Sequence, residues 1–150
     1  MDISTPMIQH FTNRTKRHID LVNYFAKKVG YSFPHHDEDK FSNELKNQYI
    51  LLTWSYFRNL PIPSEHQDDV EKAWKKHYSS NKHHPEYWSN IQEMDEESLT
   101  EMCADWCAMS KEKHNDPINW AEEHIDSKWK FSETQIHFIY KTLNKMWTGE

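Results

Sequence analysis

His35-His36-Asp37-Glu38-Asp39-Lys40 stands between two helical patterns, and how it is read decides what kind of helical domain this chain makes. An imidazole beside a carboxylate, with a lysine three residues on, can hold a metal ion and face a phosphate. Alone, the cluster is a charged helix start, since Asp37 or Asp39 could serve as an N-cap and acidic groups suit the positive end of the helix dipole. That accounts for an aspartate but not for two histidines ahead of it. Outward from this stretch, the chain offers partners on both sides: His18 before it, then His77, His83, His84 and Asp105 after it.

The fold class follows from composition and periodicity. Apolar residues make up 36% of the 150, and charged residues 28%. Seven Trp, seven Tyr and seven Phe nevertheless supply large side chains for a core. With only two glycines in the chain, tight hairpins are hard to build, so the expectation is all-α: a single compact domain over 1–150 of about six helices. A formal net charge of −6 without a Lys/Arg stripe argues against nucleic acid as the main partner. No apolar run approaches the ~20 residues of a membrane span. Cys103 and Cys107, four apart on a helix, read as reduced packing thiols, which points to the cytoplasm.

Taken in order, Thr5 and Pro6 open a first helix that runs to about Val29, with Gly30 as its left-handed exit. Met7, Phe11, His18, Val22, Phe25 and Val29 share one stripe, so His18 points inward. The histidine-aspartate cluster then leads a second helix marked by Phe41, Leu45, Tyr49, Leu52 and Tyr56. Ser64 and Gln67 spell a capping box for a third, whose inner stripe carries Val70, Trp74 and His77. Pro85 biases His84 to an extended backbone, so only one of His83 and His84 is expected to reach a shared site. Tyr87, Trp88, Ile91 and Met94 suggest a short helix, and Ser98 with Glu101 a capping box for the next, through about Lys113. That role is a sufficient explanation of Glu101. Within this helix Asp105 interrupts the run Met102 to Met109, and a buried carboxylate there requires a cation or hydrogen bonds. Asp116-Pro117 caps a further helix to about Trp129, and Ser132 with Gln135 caps the last.

His18, His77 and Asp105 thus lie on apolar stripes of three separate helices, and His36-Asp37 adds a loop contribution. One shared metal would satisfy all of them. Mixed nitrogen and oxygen ligands suit Mn, Fe, Co, Ni or Zn, as one or two ions, with Mg a further candidate.

The ordered set His18, His36-Asp37, Asp105 resembles the signature of the HD-domain superfamily of metal-dependent phosphohydrolases, and Lys40 matches the lysine of one branch. The segments from Trp74 to Trp88 and from Glu101 to Trp106 are similar to those of small bacterial and phage proteins. The resemblance covers about residues 18 to 110 and leaves the C-terminal third unmatched. It implies His18, His36, Asp37 and Asp105 around a first metal, with His77 and one of His83 or His84, here assigned to His84, at a second metal or a substrate phosphate. Asp37 would bridge, and Lys40 with a free histidine would neutralise phosphoryl charge. Asp37, Lys40, His77 and His84 are then the catalytic candidates, and a phosphorylated, nucleotide-like small molecule is the expected substrate. Asp39 departs from the small residue often found there. It could weaken phosphate binding, or cap the helix and point away. Two other outcomes use the same residues: an HD-type di-iron oxygenase, and a non-catalytic protein stapled by metal, such as a phage-encoded inhibitor of a host factor.

Overall fold

The computed structural model describes residues 2–148. α1 (Thr5–Lys27) begins one residue earlier than the sequence suggests, because Ser4 rather than Thr5 is the cap: its hydroxyl accepts from the Met7 backbone N–H. Gly30, at φ +83°, ends the turn beyond the helix as expected. The chain is then drawn back onto α1 by Asn23, whose side chain accepts from the Phe33 N–H (2.7 Å) and donates to the Phe33 carbonyl (3.0 Å). These two bonds fix where residues 34–37 lie.

The histidine-aspartate cluster does not lead directly into the second helix. It occupies a turn followed by one turn of 3₁₀ helix, Glu38–Phe41, and α2 (Lys46–Arg58) starts later. α3 (Gln67–Ser80) also lacks its expected capping box, since another 3₁₀ turn, Ser64–His66, precedes it and no side chain caps it. The apolar residues from Tyr87 to Met94 make no α-helix but two 3₁₀ turns, Pro85–Tyr87 and Ile91–Glu93, with Asn90 bonding the Gln92 N–H between them.

α4 (Glu96–Lys113) starts at Asp95, whose carboxylate accepts from Ser98 N–H at 2.8 Å. Glu101 is therefore well inside the helix and free for other work. α5 (Pro117–His124) is capped by Asp116 as expected but stops five residues short of Trp129. A turn through Asp126 (φ 69°), closed by Asp126 N–H to the Trp129 carbonyl, folds Trp129 back. α6 (Glu133–Thr148) carries the expected capping box: Ser132 and Gln135 each bond the other's backbone N–H.

Among the described residues the fold is all-helical, with six α-helices in one domain and no strand. Among the described residues no helix is long and apolar enough to cross a membrane. The core has two parts. α1, α4, α5 and α6 enclose one, around Val22, Met102, Ile139, Leu143 and Met146. α1, α2 and α3 enclose the other, around Phe11, Tyr49, Ile50 and Val70. α1 belongs to both, and His18 sits on it between Phe11 and Val22, which are both fully buried. Cys103 and Cys107 are buried and unbridged. Burial pushes the Cys107 thiol up to about 12, which makes it inert packing.

Candidate metal centre

Five separate segments meet where the two cores join. α1 supplies His18, the turn after it His36 and Asp37, α3 His77, the loop behind α3 His83 and His84, and α4 Asp105. Asp37 has a left-handed backbone (φ 56°), which a short polar residue tolerates better than a branched one. In that conformation its carboxylate is 3% exposed, while neighbouring His35 stays on the surface against Glu38. His36 and Asp37 are thus interior and His35 is not.

The ligand-type atoms gather in three groups, of which two share Asp37 and the third joins His36 and His83 to Glu101. In the first, His18 Nε2 lies 2.8 Å from Asp105 Oδ1, 3.3 Å from His36 Nε2 and 3.6 Å from Asp37 Oδ2. His36 Nε2 is 3.4 Å from Asp105 Oδ1 and 3.5 Å from Asp37 Oδ1. In the second, Asp37 Oδ1 lies 3.2 Å from His77 Nε2 and 3.4 Å from His83 Nε2, and His84 completes the set. Ligands bound at about 2.1 Å stand roughly 3.0 Å apart in an octahedron and 3.4 Å apart in a tetrahedron. The observed separations span that range.

Both His83 and His84 reach the site, against the expectation that only one would. His84 is extended as Pro85 requires, but the bond from His84 N–H to the Asn81 carbonyl curls the segment. The two rings lie 4.2 Å apart, His83 buried and His84 half-buried toward the open side.

Behind these rings stand two carboxylates, Glu101 and Asp39, that no local pattern assigns to the site. Glu101 Oε2 is 2.7 Å from His36 Nδ1 and 2.9 Å from His83 Nδ1. Asp39 does the same for His77, with Oδ2 2.9 Å from Nδ1, and Asn81 Nδ2 donates to that carboxylate at 3.0 Å. Asp39 neither points away nor faces a phosphate; it is the orienting partner of His77. A ring whose Nδ1–H is donated to a carboxylate presents the Nε2 lone pair, which is how ligating histidines are held. His18 lacks such a partner, its Nδ1 being buried and unbonded.

The electrostatics run the same way. Burial works against a charged His36, but Asp37, Asp105 and Glu101 outweigh it and hold the ring up at about 10. His83 is likewise lowered by burial but lifted further by Asp37 and Glu101, to about 9. Burial works to raise Glu101, but the bonds from His36 and His83 and the charge of those rings outweigh it and leave the carboxyl at about 2. Asp37 and Asp105 stay well below the usual carboxylate range despite burial, Asp37 through Lys40 and His36, Asp105 through His18 and His36. Partial burial, then the neighbouring His83, pushes His84 down to about 3. Carboxylates that draw protons so strongly onto buried imidazoles will draw a metal cation too. Asp37 Oδ1 and His83 Nε2 are also buried without an aligned hydrogen bond, although both face the shared space. Orphaned atoms of this kind are expensive to keep and are satisfied by an ion. The residues fit a metal: the buried His/Asp groups could hold one or two ions.

A cleft of ≈ 380 Å³ opens onto the site, with His18, Asp37, His77, His84 and Asp105 at its base. Lys40 lines it too, its Nζ 3.1 Å from Asp37 Oδ2 and over the Tyr49 ring. The outer wall comes from Lys113, Asn115, Trp120, Lys128 and Trp129, which lie beyond the stretch that resembles HD-domain proteins. Trp129 stacks on Trp106 at 5.6 Å, which the early end of α5 permits.

The chain belongs to a family described as a family of unknown function (DUF5662), whose model matches residues 7–145. No curated protein and no solved structure matches it.

Proposed function

We propose that the protein is a two-metal phosphohydrolase acting on a small phosphorylated, nucleotide-like molecule. The observation that carries this reading is the shared carboxylate: Asp37 faces His18, His36 and Asp105 on one side and His77, His83 and His84 on the other. That layout suits a pair of transition-metal ions, Mn, Fe, Co or Zn before Mg, given its nitrogen content. Bound ions would polarise a phosphoryl oxygen and supply an activated water. The chain's own residues do the rest. Lys40 holds an ammonium at the cleft base, where it can offset charge on phosphoryl oxygens. Lys113 and Lys128 add positive charge farther out, and Trp120 offers an exposed indole for a planar group. The HD-domain resemblance of the His18, His36-Asp37, Asp105 set supports the same reaction, and the buried free cysteines support a cytoplasmic setting.

A di-iron oxygenase is the second reading, favoured by the four histidines grouped around the bridging carboxylate together with His18 and Asp105. The test for both is one preparation. Purified protein is loaded in turn with Mn, Co, Zn and Fe, its metal content measured, and each form assayed against a panel of nucleotides beside Asp37→Ala. Metal-dependent phosphate release lost in Asp37→Ala supports hydrolysis. A mixed-valence two-iron spectrum without hydrolysis moves the assignment to oxygenation, and no turnover with any metal overturns the hydrolase.

A further inference from the structure

We propose that Glu101 is a positioning residue serving both metal positions at once, whereas Asp39 serves one. The inference rests on the two-metal reading of the site and goes beyond it by assigning what holds the ligands. A single oxygen, Glu101 Oε2, stands against Nδ1 of His36 and Nδ1 of His83. His36 belongs to the group with His18 and Asp105, and His83 to the group with His77 and His84. The two rings lie 4.3 Å apart, tilted 37° to each other, so one acceptor can take both N–H bonds only if both Nε2 atoms face the same interior space. Asp39 contacts His77 alone among the histidines.

Charge supports the assignment. Two divalent ions bring four positive charges, and Asp37 and Asp105 answer two of them. Asp39 and Glu101 answer the other two from behind the rings, one bond away. Glu101 comes from the interior of α4, four residues before Asp105, so the same helical face presents a ligand and the brace for two others. Losing an outer carboxylate of this kind costs about 10–100-fold in metal affinity.

The test uses zinc and cobalt ions with a competing chromophoric chelator. Wild type should take up two ions per chain. Asp39→Asn should keep one position at wild-type affinity and lose about 10–100-fold at the other. Glu101→Gln, checked for helix content by circular dichroism, should lose about that much at both. A Glu101→Gln protein that binds as wild type, or weakens at one position only, overturns the proposal while leaving the metal reading intact. A wild type that binds no ion overturns both. An arm that needs no variant is the nitrogen-15 spectrum of the zinc-loaded wild type. His36 and His83 should both be Nδ1–H tautomers with strongly downfield ring protons, and an Nε2–H tautomer at either ring refutes the shared brace.

Discussion

Removing Asp37 should abolish most of the stability that metal confers, because it is the only ligand candidate common to both groups. Its carboxylate lies 3.2–3.6 Å from four imidazole nitrogens, on His77, His83, His36 and His18. With free metal at a hundred times Kd, one occupied position stabilises the fold by about 2.7 kcal/mol, and two by about 5. For a chain of this length, 1 kcal/mol corresponds to about 2–4 °C in Tm. Wild type should therefore gain ~10–20 °C on saturation. Asp37→Ala leaves three ligands in each group, and a loss of roughly a hundredfold at each leaves ~0.4 kcal/mol per position at the same metal concentration. The gain then shrinks to ~2–3 °C. Differential scanning calorimetry with chelator and with zinc or manganese, on both proteins, measures the two gains. Equal gains would show that Asp37 is not a shared ligand, and no gain in wild type would refute metal binding at this site.

Three other substitutions probe separate parts of the structure. Lys40→Met should leave metal content unchanged while kcat falls by about 10²–10³, the usual cost of one electrostatic contact to developing charge; a wild-type kcat would remove Lys40 from the chemistry. Trp120→Ala, at a side chain 40% exposed in the cleft wall, should raise KM about tenfold, near the ~1–3 kcal/mol of a base-stacking contact, with Tm unmoved. Asp95→Ala should cost ~1 kcal/mol through loss of the α4 cap, and Ser98→Ala should not, because Asp95 is the residue bonded to the Ser98 N–H.

The helical site residues that could be read from sequence share one property: each is a ligand-type group at a position where helical spacing demands an apolar one, whereas His36-Asp37 stood out by spelling alone. His18 between Phe11 and Val22, His77 after Trp74, and Asp105 within Met102 to Met109 all have that signature. Glu101 hid because a serine three residues earlier spells a capping box, and Asp95, another residue upstream, took the cap instead. Asp39 hid among surface-type charges, since nothing local announces that a 3₁₀ turn will swing it under His77. The pairing of His83 with His84 depended on a single backbone bond to Asn81 that reverses the alternation of an extended segment. The cleft wall was out of reach for a different reason: a hydrophobic or aromatic residue on a helix face looks the same whether it meets a core or a ligand. Helix existence was legible for the same reason that helix starts were not. Periodicity over many residues fixes the first, while one competing side chain decides the second.

The position of the site argues for binding over structure. It lies at the join between the two cores, where α1 passes from the Phe11 side to the Val22 side. A join of that kind can be filled by aliphatic side chains, and buried ion pairs are usually no more stabilising than well-packed hydrophobic residues of similar volume. Here the space instead holds Asp37, at 3% exposure, against His18, His36, His77 and His83, each at 1–2%. Every one of these groups loses hydration on folding, and three of their polar atoms, His18 Nδ1, Asp37 Oδ1 and His83 Nε2, are buried without an aligned partner. A sequence selected for stability alone has cheaper solutions at each position. The brace carboxylates sharpen the point, because Glu101 and Asp39 orient nitrogen lone pairs inward, which adds nothing to packing and is needed only if something is to be held there.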